Sequence, residues 1–148
     1  MIRADANTLR MVGTLAALLA ATPALAQPVS RDELMQAPIH IEAQDRDAGL
    51  TVQGLVNCLS RWRAGPDDRR PPNPVRVEET ARDRWRVSAT LRSPAVFHLV
   101  VRREQGLPTA LLSRVEYREP SRGANQQLSD SETKRAVLRA VCEPVSRR

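Results

Sequence analysis

From Val75 onward the chain repeats in twos, and this period restricts what it can fold into more than any other feature. Val75 and Val77 alternate with Arg76 and Glu78, and Trp85, Val87, Ala89 and Leu91 alternate with Arg86, Ser88, Thr90 and Arg92. Successive side chains of an extended strand point to opposite faces, so each run predicts a strand with one apolar and one polar face. Ala81 to Arg84 is a polar turn between them, and Ser93-Pro94 breaks the second run. Ala95 to Val101 is apolar at nearly every position, the pattern of a central strand covered on both faces. After a Glu104-Gln105-Gly106 turn, Leu111, Ser113, Val115 and Tyr117 share one face, opposite Leu112, Arg114, Glu116 and Arg118. The links are too short for parallel crossovers. An antiparallel meander of three to four strands is expected.

Helical spacing appears on either side of this block. Val52, Leu55, Val56, Leu59 and Trp62 form a single apolar stripe, predicting a helix from near Leu50 to Arg63 that Gly65-Pro66 ends. Residues 64–74 hold Pro66, Pro71, Pro72 and Pro74 among Asp67, Asp68, Arg69 and Arg70, which excludes helix and sheet and reads as an exposed connector. Upstream, Gln27 to Gln36 is a loose arm or a short helix, and Ile39-His40-Ile41 a brief strand. Pro120 to Gln127 reads as a loop. Ser129 and Glu132 then match a capping box opening a last helix with Ala136, Val137, Ala140 and Val141 inward. That helix stops near Cys142, because Glu143 precedes Pro144. The expected class is α+β, a meander packed against two helices, one preceding and one following the sheet.

Four aromatic residues, Trp62, Trp85, Phe97 and Tyr117, are few for a chain of this length, so the core must be built from Val, Leu and Ala. A covalent staple would compensate. Cys58 and Cys142 are the only cysteines; they lack Cys-x-x-Cys spacing, and a zinc site would need two more ligands where the only histidines are His40 and His98. A Cys58–Cys142 disulfide is expected, closing a loop of about 85 residues worth roughly 4 kcal/mol in the chain-entropy model. The first residues agree with an oxidising destination. Arg3 and Arg10 precede and flank an apolar run from Met11 to Ala21, followed by Ala24 and Ala26 as the small residues a signal peptidase accepts. The run is shorter than the roughly 20 residues that span a bilayer. Residues 1–26 are therefore expected to be a cleaved export signal. Residues 27–148 are left as one small periplasmic or secreted domain with no membrane span.

The whole chain carries a net charge of +6, and removing Arg3, Arg10 and Asp5 with the leader lowers it to +5. Every basic residue except Lys134 is arginine. On the expected strands Arg86, Arg92, Arg114 and Arg118 point away from the apolar face, which makes them the candidate interaction face. Catalytic groupings are not apparent. There is no Gly-x-Ser-x-Gly elbow; His98 lies mid-strand and His40 stands between isoleucines. The neighbouring pairs Asp67-Asp68 and Glu78-Glu79 point apart in extended backbone, and Asp45-Arg46-Asp47 is too short for a calcium loop. A small hydrolase would need His98 to face a cleft. Arg61-Trp62-Arg63 resembles a base-stacking element, but Trp62 completes the helical stripe, so no nucleic-acid partner is expected. No cofactor and no metal are expected. The function expected is a non-catalytic envelope accessory or interaction module that docks onto another envelope protein through the arginine-bearing sheet face or the proline-rich connector. The alternative is binding of an anionic envelope component, a lipid or glycan, in an apolar pocket between helices and sheet rimmed by arginine.

Overall fold

The computed structural model describes residues 27–42, 49–63, 65–91, 95–104, 106–118, 125–128 and 130–143. The expected leader 1–26, the Asp45-Arg46-Asp47 run, Arg92, the break at 93–94, loop residues 120–124 and Ser129 lie outside them. The elements are α1 (Arg31–Gln36), β1 (Ile39–His40), α2 (Val52–Arg61), β2 (Val75–Ala81), β3 (Arg84–Ala89), β4 (Ala95–Glu104), β5 (Leu107–Arg118), β6 (Asn125–Leu128) and α3 (Ser131–Cys142). The fold is α+β, with three helices rather than two among the described residues. The strands run in the order β1-β5-β4-β3-β2, and β6 also pairs with β5.

The meander is present as β2 to β5, each antiparallel to the next. The sheet as a whole is mixed, because β1 lies parallel to β5 with Ile39 opposite Ala110 and His40 opposite Leu111. The backbone explains this position. The Ile39 amide donates to the Leu50 carbonyl at 2.8 Å and the Ala110 amide to the Pro38 carbonyl at 3.1 Å, so β1 bridges the approach to α2 and the start of β5. Residues 125–127, expected as loop, form β6 together with Leu128 instead, and Leu128 stands opposite Val115.

Two further expectations about faces are corrected. In β4, Ala95, Phe97, Leu99 and Val101 are buried while Val96, His98 and Val100 are only half-buried. The strand is covered on one face, and its apolar outward residues occupy an open surface. In β5 a register shift falls where His98 faces Arg114 and Leu99 faces Leu112, leaving Ser113 as the extra residue. This bulge moves Leu112 to the core side with Val115, both fully buried, and leaves Leu111 on the outer side.

Local chemistry starts each helix. Ser30 and Glu33 form a reciprocal capping box on α1, which tips residues 27–36 from loose arm to short helix. Thr51 caps α2 through the Gly54 amide at 3.0 Å. Asp130, not Ser129, caps α3, taking the Thr133 amide at 2.9 Å. Leu34 of α1, Val52, Leu55 and Leu59 of α2, and Leu138 of α3 join the inward residues of the sheet in one apolar cluster. The buried face of α3 is rotated from the expected one: Lys134 and Leu138 are buried and Val137 and Val141 half-buried, whereas Ala136 and Ala140 are exposed. The Lys134 ammonium reaches the Ser113 carbonyl at 3.0 Å, so its stem packs while its charge is satisfied at the bulge.

That rotation places Cys142 on the same side as Leu138, one turn away, and Cys58 of α2 is joined to it by a disulfide with a Cα–Cα distance of 4.8 Å. The expected pairing is thus present, in the last turn of a regular helix. The proline-rich connector is also largely exposed as expected, with Gly65 and Asp68 half-buried and Asn73 buried. Asn73 is 9% exposed, its side-chain amide donates to the Leu59 and Trp62 carbonyls, each at 2.9 Å, and its backbone amide donates to Ser60. These are carbonyls at the end of α2, where the Trp62 amide also donates to Leu59 and the Arg63 guanidinium to Ser60 and Trp62, so Asn73 shares in satisfying the helix terminus. Replacing Asn73 by Ala is expected to destabilise the fold by about 1–3 kcal/mol, measured by urea unfolding. A cost near zero would mean water serves those carbonyls equally well.

Candidate functional site

The site is the outward face of the sheet, away from the apolar cluster, and the strand register assembles it. Outward side chains line up in rows across β2, β3, β4 and β5. One row runs Glu78, Arg86, His98, Arg114, and the row beside it runs Arg76, Ser88, Val96, Glu116. A third joins Arg84, Val100, Leu111 and His40. Arg76, Arg84, Arg86 and Arg114 are exposed, and Val96, Val100 and Leu111 are half-buried between them. The result is an apolar strip flanked by guanidinium groups.

Of the four arginines singled out from the alternation, Arg86 and Arg114 lie on this face, one strand to either side of His98. Arg118 belongs to β5 and pairs with Asn125. Arg92 lies outside the described residues. Arg84 and Arg76 join the face, and their alternation in β2 and β3 already carried that signal. Arg114 is ion-paired with Glu116 two residues along its own strand. Among the described residues Arg84 and Arg86 form no ion pair. Their charge remains available to an outside anion.

His98 reports the electrostatics of the face. Burial, then the Arg86 guanidinium, with Arg114 and Arg84 adding to them, hold its imidazole below the ordinary value of 6.5, while Glu116 pulls the other way. A surrounding excess of positive charge makes protonation harder. The folded chain binds this proton less readily than the unfolded chain, so stability falls as the pH drops through 6.5 and below. Melting temperature is expected to decrease between about pH 7.5 and 5.5, and His98→Gln to reduce the decrease. An identical slope in the variant would remove His98 from this role.

A cleft of about 470 Å³ lies at the other end of the sheet, lined by residues that include Glu33, Gln36, His40, Glu104, Leu107 and Thr109. Its rim carries carboxylates, and Glu33 is held there by Ser30 and by Arg103 at 3.3 Å. His98 is not among its lining residues. His40 lines it, 6% exposed, and among the described residues its Nδ1 has no hydrogen-bond partner. The lining of this cleft carries Glu33 and Glu104 but no arginine, and the core layer is apolar. Phe97, Leu99, Leu112, Leu55 and Leu59 fill that layer with no exposed surface.

Among the described residues no helix is long and apolar enough to cross a membrane, and no three His, Cys, Asp or Glu side chains are grouped to hold a metal ion. Comparison with protein-family models, curated proteins and solved structures finds no match for this chain, so its functional reading rests on the geometry of the sheet face.

Proposed function

We propose that this protein is a non-catalytic module of the cell envelope that docks onto an acidic surface of another envelope protein through the outer face of its sheet. One observation carries the reading: Arg86, His98 and Arg114 stand in register on an uncovered face, beside Val96, Val100 and Leu111. Apolar area supplies association energy, and the flanking arginines select and steer an acidic partner. The disulfide and the export pattern of residues 1–26 support an oxidising compartment. The filled layer between helices and sheet favours a protein surface over an enclosed lipid or glycan.

Chemical cross-linking of the oxidised protein in an envelope extract of its own host, at low and high salt, tests this. Arg86→Ala/Arg114→Ala is expected to lose a discrete acidic partner that Arg69→Ala/Arg70→Ala in the connector retains. Loss of charges at an interface of this kind costs roughly tenfold or more in affinity. A partner set unchanged by Arg86→Ala/Arg114→Ala would discard the sheet face. Saturable binding to anionic vesicles, with no protein captured, would replace the proposed partner by lipid.

A further inference from the structure

We propose that β2 is a self-complementary edge, and that two copies of this chain pair through it, antiparallel about Val77. The strand order leaves β2 hydrogen-bonded to β3 on one side only. No other described strand pairs with its second side, and Arg76, Glu78, Glu79, Thr80 and Ala81 are exposed. Val75 and Val77 remain only half-buried at the margin of the core.

Edge strands are commonly guarded by prolines, bulges and charges. Here Pro72 and Pro74 stand just before the strand, and a register shift between Glu79 and Ala81 follows. These features confine the regular edge to residues 75–79 without blocking it. The charges inside that window do not repel a second copy in one particular alignment. Arg76 and Glu78 both lie on the outer face, and neither forms an ion pair among the described residues. Antiparallel pairing about Val77 sets Arg76 of each copy opposite Glu78 of the other, twice by symmetry, with Val77 facing Val77 on the core side. Sliding by one pairing step brings Arg76 against Arg76 or Glu78 against Glu78. Like charges directly opposite oppose those alignments, and a one-residue slip would turn the valines to the wrong face. Charge therefore selects a single register.

The geometry is that of an isologous two-fold contact, and it extends the sheet across the axis. Both outer faces then lie on the same side and form one continuous arginine-bearing surface. A contact built on five residues per copy is smaller than a standard interface, so the dimer is weak and dissociates on dilution.

Analytical ultracentrifugation of the oxidised mature chain, from micromolar to millimolar concentration, measures this. The wild type is expected to approach the dimer mass as concentration rises. Arg76→Glu and Glu78→Arg, taken singly, should each weaken association by roughly tenfold. Arg76→Glu/Glu78→Arg should restore it, because the swap recreates both opposite pairs. Thermal melts of all four proteins keep a folding defect from passing as lost association. A wild type that stays monomeric throughout overturns the proposal, as does a dimer that survives both single reversals or is not rescued by the swap.

Discussion

Replacing Cys58 and Cys142 together by serine is expected to lower the melting temperature by roughly 10–25 °C. The bridge spans 84 positions, and in the chain-entropy model closing such a loop stabilises the fold by about 4 kcal/mol. For a domain of this size each kcal/mol moves the midpoint by about 3–6 °C. The structure also says where the loss will be felt first. Apart from the half-buried side chains around it, α3 sinks only Lys134 and Leu138 into the fold, and the disulfide ties its last residue to α2. Without the bridge, amide exchange should rise in α3 before it rises in β4. Calorimetry of the oxidised protein, the reduced protein and the serine variant checks the first part, and exchange by mass spectrometry the second. A shift of only a degree or two would show that packing alone holds the two helices.

Phe97→Ala is the second large effect, expected to destabilise the fold by about 3–5 kcal/mol. Phe97 is fully buried, the largest such side chain among the described residues, and it stands between Val87 and Val115 across three adjacent strands. The chain contains no other phenylalanine, so no equivalent ring can relax into the space. Phe97→Leu retains most of the volume and should cost about 1 kcal/mol. Urea unfolding of the pair gives a graded series even if the alanine variant folds poorly. Equal and small costs for both would mean that the core is centred elsewhere.

These two effects rest on features a reader of the residues alone could find: an alternating strand around Trp85, an apolar strand around Phe97, and one cysteine in each flanking helix. What stayed hidden has identifiable causes. The Ser113 bulge exchanged the faces of Leu111 and Leu112, and nothing within β5 announces it, because the extra residue is defined only against β4. The two-residue β1 is too short to carry a period and finds its parallel partner some 70 positions away. Ser30 and Glu33 did stand at capping-box spacing, and that local signal could have settled α1. On α3 the apolar stripe pointed through Ala136 and Ala140, but small side chains lose the contest for burial to Leu138, with Lys134 packing its stem and reaching a carbonyl.

The site shows the same division. That Arg86 and Arg114 face outward followed from alternation, and the bulge did not disturb it because both Arg114 and Glu116 lie beyond Ser113. That they flank His98 in one row required the register. The acidic cleft between α1, β1 and β5 is assembled from positions far apart in the chain, and no local pattern marks it. Asn73 is the plainest omission. An asparagine in a proline-rich connector reads as solvated, and only the carbonyls at the end of α2 that its side-chain amide reaches give it a reason to be buried.

The envelope reading stands on export and oxidation together, and the intact mass of the protein isolated from its own host under non-reducing conditions measures both at once. The expected mass is that of a chain beginning at Gln27 and lighter by two hydrogens than its fully reduced form. A chain still carrying residues 1–26, or one with both thiols free, would contradict it.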